Sequence, residues 1–269
     1  MLSTNDLINV LLPVISHWLI WLIFLIVVIV ILLLYAYPYT KKPKKEFHIY
    51  HVGIPITNII SLYIFTKMLE GVIYQGVILK IDAWFNVISY PIWIIKIASF
   101  ITNFGGSVVI TIFLMVILGA LVLRKRWRYA LLSIVAILGA TILQATIKVL
   151  VSRIRPENLI ETGFSFPSGH AITAIVFVSL LIYSFKDDIK NPIIKYVLII
   201  LSASFFVVVG ISRIILHVNW FSDVVAGISL GLFWFMLLVL IEKSITGLIP
   251  AVRKETKKAE PIVPAVLKE

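Results

Sequence analysis

The sequence predicts an all-α membrane protein, a polytopic bundle of about seven transmembrane helices. Of its 269 residues, 61% are hydrophobic, against about 45–50% in a soluble domain, and the mean hydropathy is +1.07. Several apolar runs reach about 20 residues, the length that crosses a bilayer core of about 30 Å. These runs do not alternate polar with apolar residues, which excludes a transmembrane β-barrel.

Seven apolar runs are the predicted spans. The first lacks a basic n-region and is too long for a cleaved signal peptide, so it is expected to stay in the mature protein. The second is weaker because Lys67 and Glu70 interrupt it, and without it the chain has six spans. Aromatic residues crowd the stretch 82–100, which is typical of a helix in the membrane interface. The predicted spans are 12–37, 51–66 with an alternative end at 80, 104–123, 129–150, 170–185, 193–212 and 221–242.

The basic residues predict the orientation of the spans. Lysine and arginine number 24 against 13 acidic residues, a formal charge of +11. They cluster in short loops beside apolar runs, the pattern of cytoplasmic loops, so nucleic-acid binding is not predicted. The cluster Arg124–Arg128 marks the inside and places loops 151–169 and 213–220 outside. With seven spans the N-terminus is outside and the cluster Lys41–Lys45 is inside.

The runs divide the chain into three parts. Residues 1–45 hold the additional first span and its basic loop, and residues 46–245 form the membrane-embedded domain. Residues 246–269 are a polar, basic tail expected on the cytoplasmic side. There is no cysteine in the sequence, which excludes disulfides, thiolate metal sites and a cysteine nucleophile.

The first polar motif is Lys148-x6-Arg155-Pro156, at the end of the fourth span. Seven residues are about two helical turns, so the two cations share a face if the helix continues. Pro156 biases Arg155 toward an extended conformation. Arginine offers phosphate a planar fork of donors and lysine a point charge. The alternative is ordinary snorkelling of both side chains at a helix end. We interpret Arg153, between them, as a decoy.

The second motif, Pro167-Ser168-Gly169-His170, precedes the fifth span. Ser168 is available as the N-cap, and the free N–H groups of a helix start favour an anion. Gly169 lets the backbone approach a ligand closely. His170 can transfer a proton near neutral pH. The alternative is a plain capped helix with an interfacial histidine.

The third motif joins the sixth and seventh spans through Ser212-Arg213, Asn219 and Asp223. Asp223 lies four residues after Asn219, so on one helix the carboxylate can orient the group at position 219. His217 lies six residues before Asp223, on a different face of a continuous helix. The alternative is that Arg213 and Asp223 are solvated at the membrane border.

Together the motifs resemble the type-2 phosphatidic acid phosphatase superfamily of integral membrane lipid phosphatases, whose pattern is Lys-x6-Arg-Pro, Pro-Ser-Gly-His and Ser-Arg-x5-His-x3-Asp, with vanadium haloperoxidase-like active-site motifs. The resemblance covers about residues 80–242 and implies a six-helix core. It departs at one position, because the family's nucleophilic histidine falls at Asn219. The implied catalytic positions are His170, Asn219 and Asp223, and the implied phosphate ligands are Lys148, Arg155, Ser168, Gly169 and Arg213. No metal or cofactor is implied.

The resemblance implies hydrolysis of a phosphomonoester or diphosphate of an amphipathic lipid through a phosphohistidine. The outward site slightly favours undecaprenyl diphosphate over phosphatidylglycerol phosphate and phosphatidate. The expected location is the plasma membrane of a prokaryote, with the site on the extracytoplasmic face and membrane lipids as its partners.

Asn219 leaves three explanations open, because an amide cannot form the phosphohistidine. The first is a phosphatase scaffold with an inactivating substitution. The second is a protein that binds a lipid phosphate without cleaving it. The third is an enzyme that uses His217 after a local rearrangement. A transporter is disfavoured because the ionisable residues lie at span ends rather than near mid-membrane.

Overall fold

The computed structural model describes residues 4–40, 50–156, 161–186 and 188–259. These residues form nine α-helices, and no strand occurs among them. The prediction of an all-α fold is therefore confirmed. The helices are α1 Thr4–Thr40, α2 Tyr50–Ile73, α3 Val77–Asn86, α4 Ile92–Phe104, α5 Ser107–Leu123, α6 Trp127–Val151, α7 Gly169–Phe185, α8 Pro192–Ile215 and α9 Phe221–Ala259.

Six helical segments of the described residues are long and apolar enough to cross a membrane, and α7 is a shorter apolar helix of 17 residues. The weak second run is one of the six, at Val52–Ile73. Helix length and composition therefore favour the count of seven spans over the alternative that omits this run. The six segments are Ser16–Ala36, Val52–Ile73, Ile92–Leu123, Trp127–Val151, Pro192–Ile215 and Phe221–Ile245.

The candidate third span begins earlier than the sequence predicts. Helices α4 and α5 together form one apolar segment, Ile92–Leu123, so residues 92–100 are part of a candidate span by length and composition, and their interfacial position stays a prediction. The segment breaks at Gly105, where α8 packs closely. A Cβ at Gly105 would lie 2.5 Å from Cγ1 of Val209. The sequence predicts a helix in this stretch, and the structure adds that the apolar segment extends across the break into α5.

Helix α9 is the most deeply buried span and packs against α2 and α7. Its contact with the start of α7 depends on Gly227, where an added Cβ would lie 2.6 Å from the backbone oxygen of Ser168. A side chain there would push the two helices apart. This close approach brings the beginning of α7 against the beginning of α9, where two of the three motifs lie.

The three motifs lie at one end of the bundle, and the basic cluster lies at the other. Arg124 and Arg126 pair with Asp188, after the far end of α7. Helix α1 packs on α2 and α9, and Ser244 Oγ donates to the backbone oxygen of Leu34 at 2.8 Å. Helix α9 continues to Ala259, well beyond the predicted span end at 242. The division into three parts remains a prediction, and residues 41–45 and 260–269 lie outside the described residues.

Candidate active site

A cavity of 290 Å³ opens where α6 ends, α7 begins and α8 ends. It lies at the end of the bundle that the polar motifs share. Two further predicted residues, Ser168 and Asp223, stand behind its wall and contact Asn219. The structure thus brings the eight predicted site residues together, whereas the role of each stays a prediction. The six that line the cavity are Lys148, Arg155, Gly169, His170, Arg213 and Asn219.

Lys148 occupies the last turn of α6, but Arg155 does not continue that helix. The helix ends at Val151, and Ser152 adopts a left-handed conformation with φ of 48°. The condition for both cations to share a face of one helix is therefore not met, because the helix ends before Arg155. The chain turns instead and returns Arg155 to the cavity. The Lys148 ammonium donates to the backbone oxygen of Phe164 at 2.6 Å.

Arg155 and Arg213 form the cationic wall of the cavity. Both are buried, with side chains 5% and 2% exposed. Nη1 of Arg155 donates to the backbone oxygen of Val218 at 2.6 Å, and Nη1 of Arg213 donates to Oγ1 of Thr102 at 3.1 Å. These bonds fix each guanidinium at the cavity that both residues line.

Glu161 bridges the two arginines across the cavity. Its Oε2 lies 3.1 Å from Nη2 of Arg155, and its Oε1 accepts from Nη2 of Arg213. Burial raises the pKa of this carboxyl, but the hydrogen bond and charge of Arg213, with smaller contributions from His170 and Arg155, outweigh burial and hold the pKa below its usual value. The carboxylate therefore occupies a place between two arginines that suits a phosphate.

The start of α7 supplies the second motif. Ser168 takes the N-cap position, but its hydroxyl makes no capping bond. It donates instead to Oδ1 of Asn219 at 3.3 Å, and the Ser168 N–H donates to the backbone oxygen of Asp223 at 3.0 Å. Ser168 therefore occupies the predicted N-cap position, but it does not cap the helix through its side chain. His170 faces the cavity and makes no hydrogen bond to another described residue.

Asn219 lies before α9 rather than on it, since that helix begins at Phe221. The expected contact with Asp223 nevertheless forms, with Nδ2 of Asn219 3.5 Å from Oδ2 of Asp223. The same carboxylate oxygen accepts from the Trp220 N–H at 2.9 Å. Asp223 is fully buried rather than solvated. The contact thus arises from a turn preceding the helix.

The Asn219 amide has a definite polarity. Its Oδ1 faces the cationic side, where it accepts from Nε of Arg213 at 3.2 Å and from the Ser168 hydroxyl. Its Nδ2 faces away from the cavity and donates to the backbone oxygen of Ser165 at 3.0 Å. The amide is 3% exposed and all of its bonds lie within the site.

His217 does not line the cavity. Its Nδ1 lies 3.0 Å from Oδ1 of Asn86, on α3. The residue has φ of 51°, a left-handed conformation at the turn after α8. It therefore stands apart from the cationic wall, which disfavours its use as a replacement nucleophile.

Two acids near the site escaped the sequence analysis, and so did the partners of Arg153. Arg153 does not line the cavity, which agrees with its interpretation as a decoy among the phosphate ligands, but it forms buried ion pairs with Asp82 and Asp223. Asp82 could have been noticed as a lone acid in an aromatic segment, and Glu161 as an acid between two basic motifs. Nothing in the spacing of these residues indicates their partners.

The arrangement can hold a tetrahedral anion with cations on several sides and an imidazole beside it. Electrostatic stabilisation of this kind is the main contribution of a protein to phosphoryl transfer. Within the described ranges, no group of three or more His, Cys, Asp or Glu residues could hold a metal ion.

Comparisons with known proteins agree with this geometry. The family model of the PAP2 superfamily matches residues 127–246. Phosphatidylglycerophosphatase B of Bacillus subtilis (strain 168) is 30% identical over 190 residues, covering 66% of this chain and 91% of the relative. The crystal structure of a transmembrane PAP2 type phosphatidylglycerolphosphate phosphatase from Bacillus subtilis matches with a TM-score of 0.56 and 25% identity, covering 77% of this chain and 98% of that one. The resemblance inferred from the motifs is confirmed, and the chain belongs to the PAP2 superfamily of membrane lipid phosphatases.

Proposed function

We propose that the protein binds the phosphate of a membrane lipid in this cavity, on a scaffold built for metal-independent hydrolysis through position 219. The observation that carries the proposal is the convergence of Lys148, Arg155 and Arg213 on one cavity beside His170. Three cations suit the equatorial oxygens of a phosphoryl group, and the imidazole suits proton transfer to the leaving oxygen.

A second groove supports an amphipathic substrate. An apolar groove of 350 Å³ lies between α5, α7 and α8. It adjoins the 290 Å³ cavity, because Phe104 lines the groove and the next residue, Gly105, lines the cavity. On α7, Phe177 of the groove lies one turn after Thr173 of the cavity. A lipid phosphate can place its head in one and its chain in the other.

The names of the relatives favour phosphatidylglycerol phosphate as the first substrate to test. Undecaprenyl diphosphate remains a candidate because the basic cluster Arg124–Arg128 lies opposite the site, which supports an extracytoplasmic cavity by the positive-inside rule. Phosphatidate completes the set. The proposed location is the plasma membrane of a prokaryote.

Asn219 decides what this chain does with its ligand. A carboxamide is not basic and forms no phosphoenzyme, yet here it accepts from Arg213 and completes the cavity wall. We therefore expect the chain to bind a lipid phosphate without turning it over. His217 is separated from the cavity and is not expected to substitute.

The test is phosphate release from detergent-solubilised protein with a chelator present. The given chain, Asn219→His, His217→Gln and the double variant Asn219→His/His217→Gln are assayed on phosphatidylglycerol phosphate, undecaprenyl diphosphate and phosphatidate. We expect turnover in both proteins that carry the Asn219→His change and none in the others. The rates then rank the substrates.

Three results would contradict the proposal. Turnover by the given chain that the His217→Gln change abolishes would show that position 219 is not the nucleophile position. No turnover by any variant on any lipid would reject the phosphatase scaffold. Activity that requires added divalent metal would reject metal independence.

A further inference from the structure

A buried polar network lies behind position 219, on the side away from the cavity. It joins Arg153, Asp82, Ser222 and Asp223. We propose that Arg153 and Asp82 are positioning residues, which fix the Asp223 carboxylate so that one of its oxygens faces the group at position 219. This inference rests on the proposed use of position 219.

Arg153 divides its guanidinium between two carboxylates. Nη1 donates to Oδ1 of Asp223 at 2.7 Å, and Nη2 donates to Oδ2 of Asp82 at 2.6 Å. The arginine side chain is 10% exposed and the two carboxylates are 0% and 2% exposed. A planar fork with fixed donors can hold two acceptors in one geometry, which a lysine cannot do.

Ser222 closes the network. Its hydroxyl donates to Oδ2 of Asp82 at 2.6 Å and lies 2.7 Å from Nη1 of Arg153, from which it accepts. Its backbone N–H donates to Oδ1 of Asp82 at 2.8 Å. Because Ser222 immediately precedes Asp223, these bonds fix the backbone that carries the orienting carboxylate.

Asp82 extends the network to α3, a short helix outside the candidate spans. Phe85 of α3 stacks on Phe221 with ring centroids 4.7 Å apart. The start of α9 is thus held by a ring contact and by the hydrogen bonds from Ser222 to Asp82, both to the same helix α3. Movement of α3 would therefore move the Asp223 backbone as well as its side chain.

The two carboxylate oxygens of Asp223 have different hydrogen-bond partners. Oδ1 accepts from Arg153, whereas Oδ2 accepts from the Trp220 N–H and faces Nδ2 of Asn219. A carboxylate pinned at one oxygen cannot rotate about its last bond without losing a charged hydrogen bond. Its second oxygen is therefore presented to position 219 in one orientation.

The charges of the network also polarise position 219. One guanidinium faces two carboxylates, which leaves a formal excess of one negative charge behind the residue. The cavity in front holds Lys148, Arg155 and Arg213. Asn219 already follows this field, with its oxygen forward and its NH₂ group back. A histidine there would be held with its proton toward Asp223 and its lone pair toward the phosphate.

Stability alone does not account for this arrangement. Burying charges costs desolvation free energy, and well-packed apolar groups often serve a fold equally well or better. A buried pair that contacts the carboxylate beside the reacting position has an additional reason to be charged. It determines the direction of that carboxylate.

The test measures the orientation of a histidine at position 219 directly. ¹⁵N-histidine spectra of the Asn219→His chain are compared with those of the given chain, which has five histidines and lacks this signal. The same spectra are recorded with Arg153→Gln, Arg153→Lys and Asp82→Asn added. Arg124→Gln is the matched control, since it removes an arginine charge at the opposite end of the bundle.

We expect one tautomer at position 219, with the proton on the nitrogen facing Asp223, and a mixture after Arg153→Gln or Asp82→Asn. Arg153→Lys should restore part of the single tautomer, because it keeps the charge without the fork. A single tautomer that survives both Arg153→Gln and Asp82→Asn would overturn the inference, with or without turnover. If the single tautomer is lost in the Arg153→Gln variant although the Asn219→His chain hydrolyses no lipid, the positioning role is supported and the proposed function is rejected.

Kinetics supply the second readout. In the Asn219→His chain, Arg153→Gln should lower kcat by about 10- to 100-fold, by analogy with the loss on removing an outer-shell partner that orients a metal ligand. KM and inorganic phosphate affinity should change by less than about threefold, since no phosphate ligand is altered. Equal losses in kcat and phosphate affinity would indicate collapse of the site and would overturn the positioning role.

Discussion

Replacing Glu161 with glutamine should make the cavity bind phosphate more tightly. In the structure the carboxylate places one oxygen on Arg155 and the other on Arg213. A phosphate that uses both arginines must first displace it. Glutamine has nearly the same shape but no charge, so it competes less well for the two guanidinium groups.

The size of the effect follows from the two ion pairs. Exposed pairs contribute about 0.2–1 kcal/mol each. Glu161 is 30% exposed but both arginines are buried, so each pair should lie near the upper end of that range. Two such pairs amount to about 2 kcal/mol, and tenfold corresponds to about 1.4 kcal/mol. Because glutamine can still accept one hydrogen bond, we expect affinity to rise by about 5- to 30-fold.

The assay is isothermal titration of the detergent-solubilised given chain and its Glu161→Gln variant with inorganic phosphate at pH 7. Asp188→Asn is the matched control, because it removes one negative charge from an ion-paired carboxylate at the opposite end of the bundle. We expect the control to leave phosphate affinity unchanged. Phosphate affinity that is equal or lower in Glu161→Gln than in the given chain would refute the competition between carboxylate and phosphate.

Two further predictions concern stability. Gly227→Ala should lower the free energy of unfolding by about 1–3 kcal/mol, the usual cost of overpacking, because the added methyl would lie 2.6 Å from the Ser168 backbone oxygen. Gly119→Ala, with nothing within 4 Å, should leave the thermal midpoint in detergent unchanged or slightly raised, and equal losses in both variants would contradict this explanation. The Glu161 ion pairs should also make the free energy of unfolding depend on pH. The pKa of the Glu161 carboxyl in the folded protein lies below the usual 4.5, so the ion pairs stabilise the protein fully above that value. This stabilisation is lost as the pH falls through the folded pKa. The difference in thermal midpoint between the given chain and Glu161→Gln should therefore close in acid, and a constant difference would argue against the ion pairs as its cause.

The membrane fold could be predicted from sequence because its signal is repeated along whole segments. Each span contributes about 20 apolar residues, so a single lysine or glutamate in α2 does not erase the pattern. The start of the third span could not be read in this way. Pro91 and the two glycines after Phe104 suggest interruptions, and the helix does break at Gly105, yet α4 and α5 together still form one apolar segment long enough to cross a membrane.

Sequence alone identified only those site residues that belong to a motif of fixed spacing. Arg153 and Arg155 are two residues apart and have the same side chain, so residue type alone does not distinguish their roles. The left-handed Ser152 turns the chain after α6, so the two side chains leave in different directions. Arg155 faces the cavity and Arg153 faces the network behind position 219. The two acids that pair with Arg153 lie 70 and 71 positions away along the chain, and local spacing contains no information about them.

The orientation of Asn219 connects these separate observations. Its oxygen points toward Arg213 and its NH₂ group toward Asp223, although either end of an amide fits the same volume. The choice follows the electric field between a cationic cavity and a network with excess negative charge. That field is set by residues other than the one at position 219, so it does not depend on which residue stands there. A histidine introduced there would meet a site already polarised for attack on phosphorus, which is why one substitution is expected to suffice for turnover.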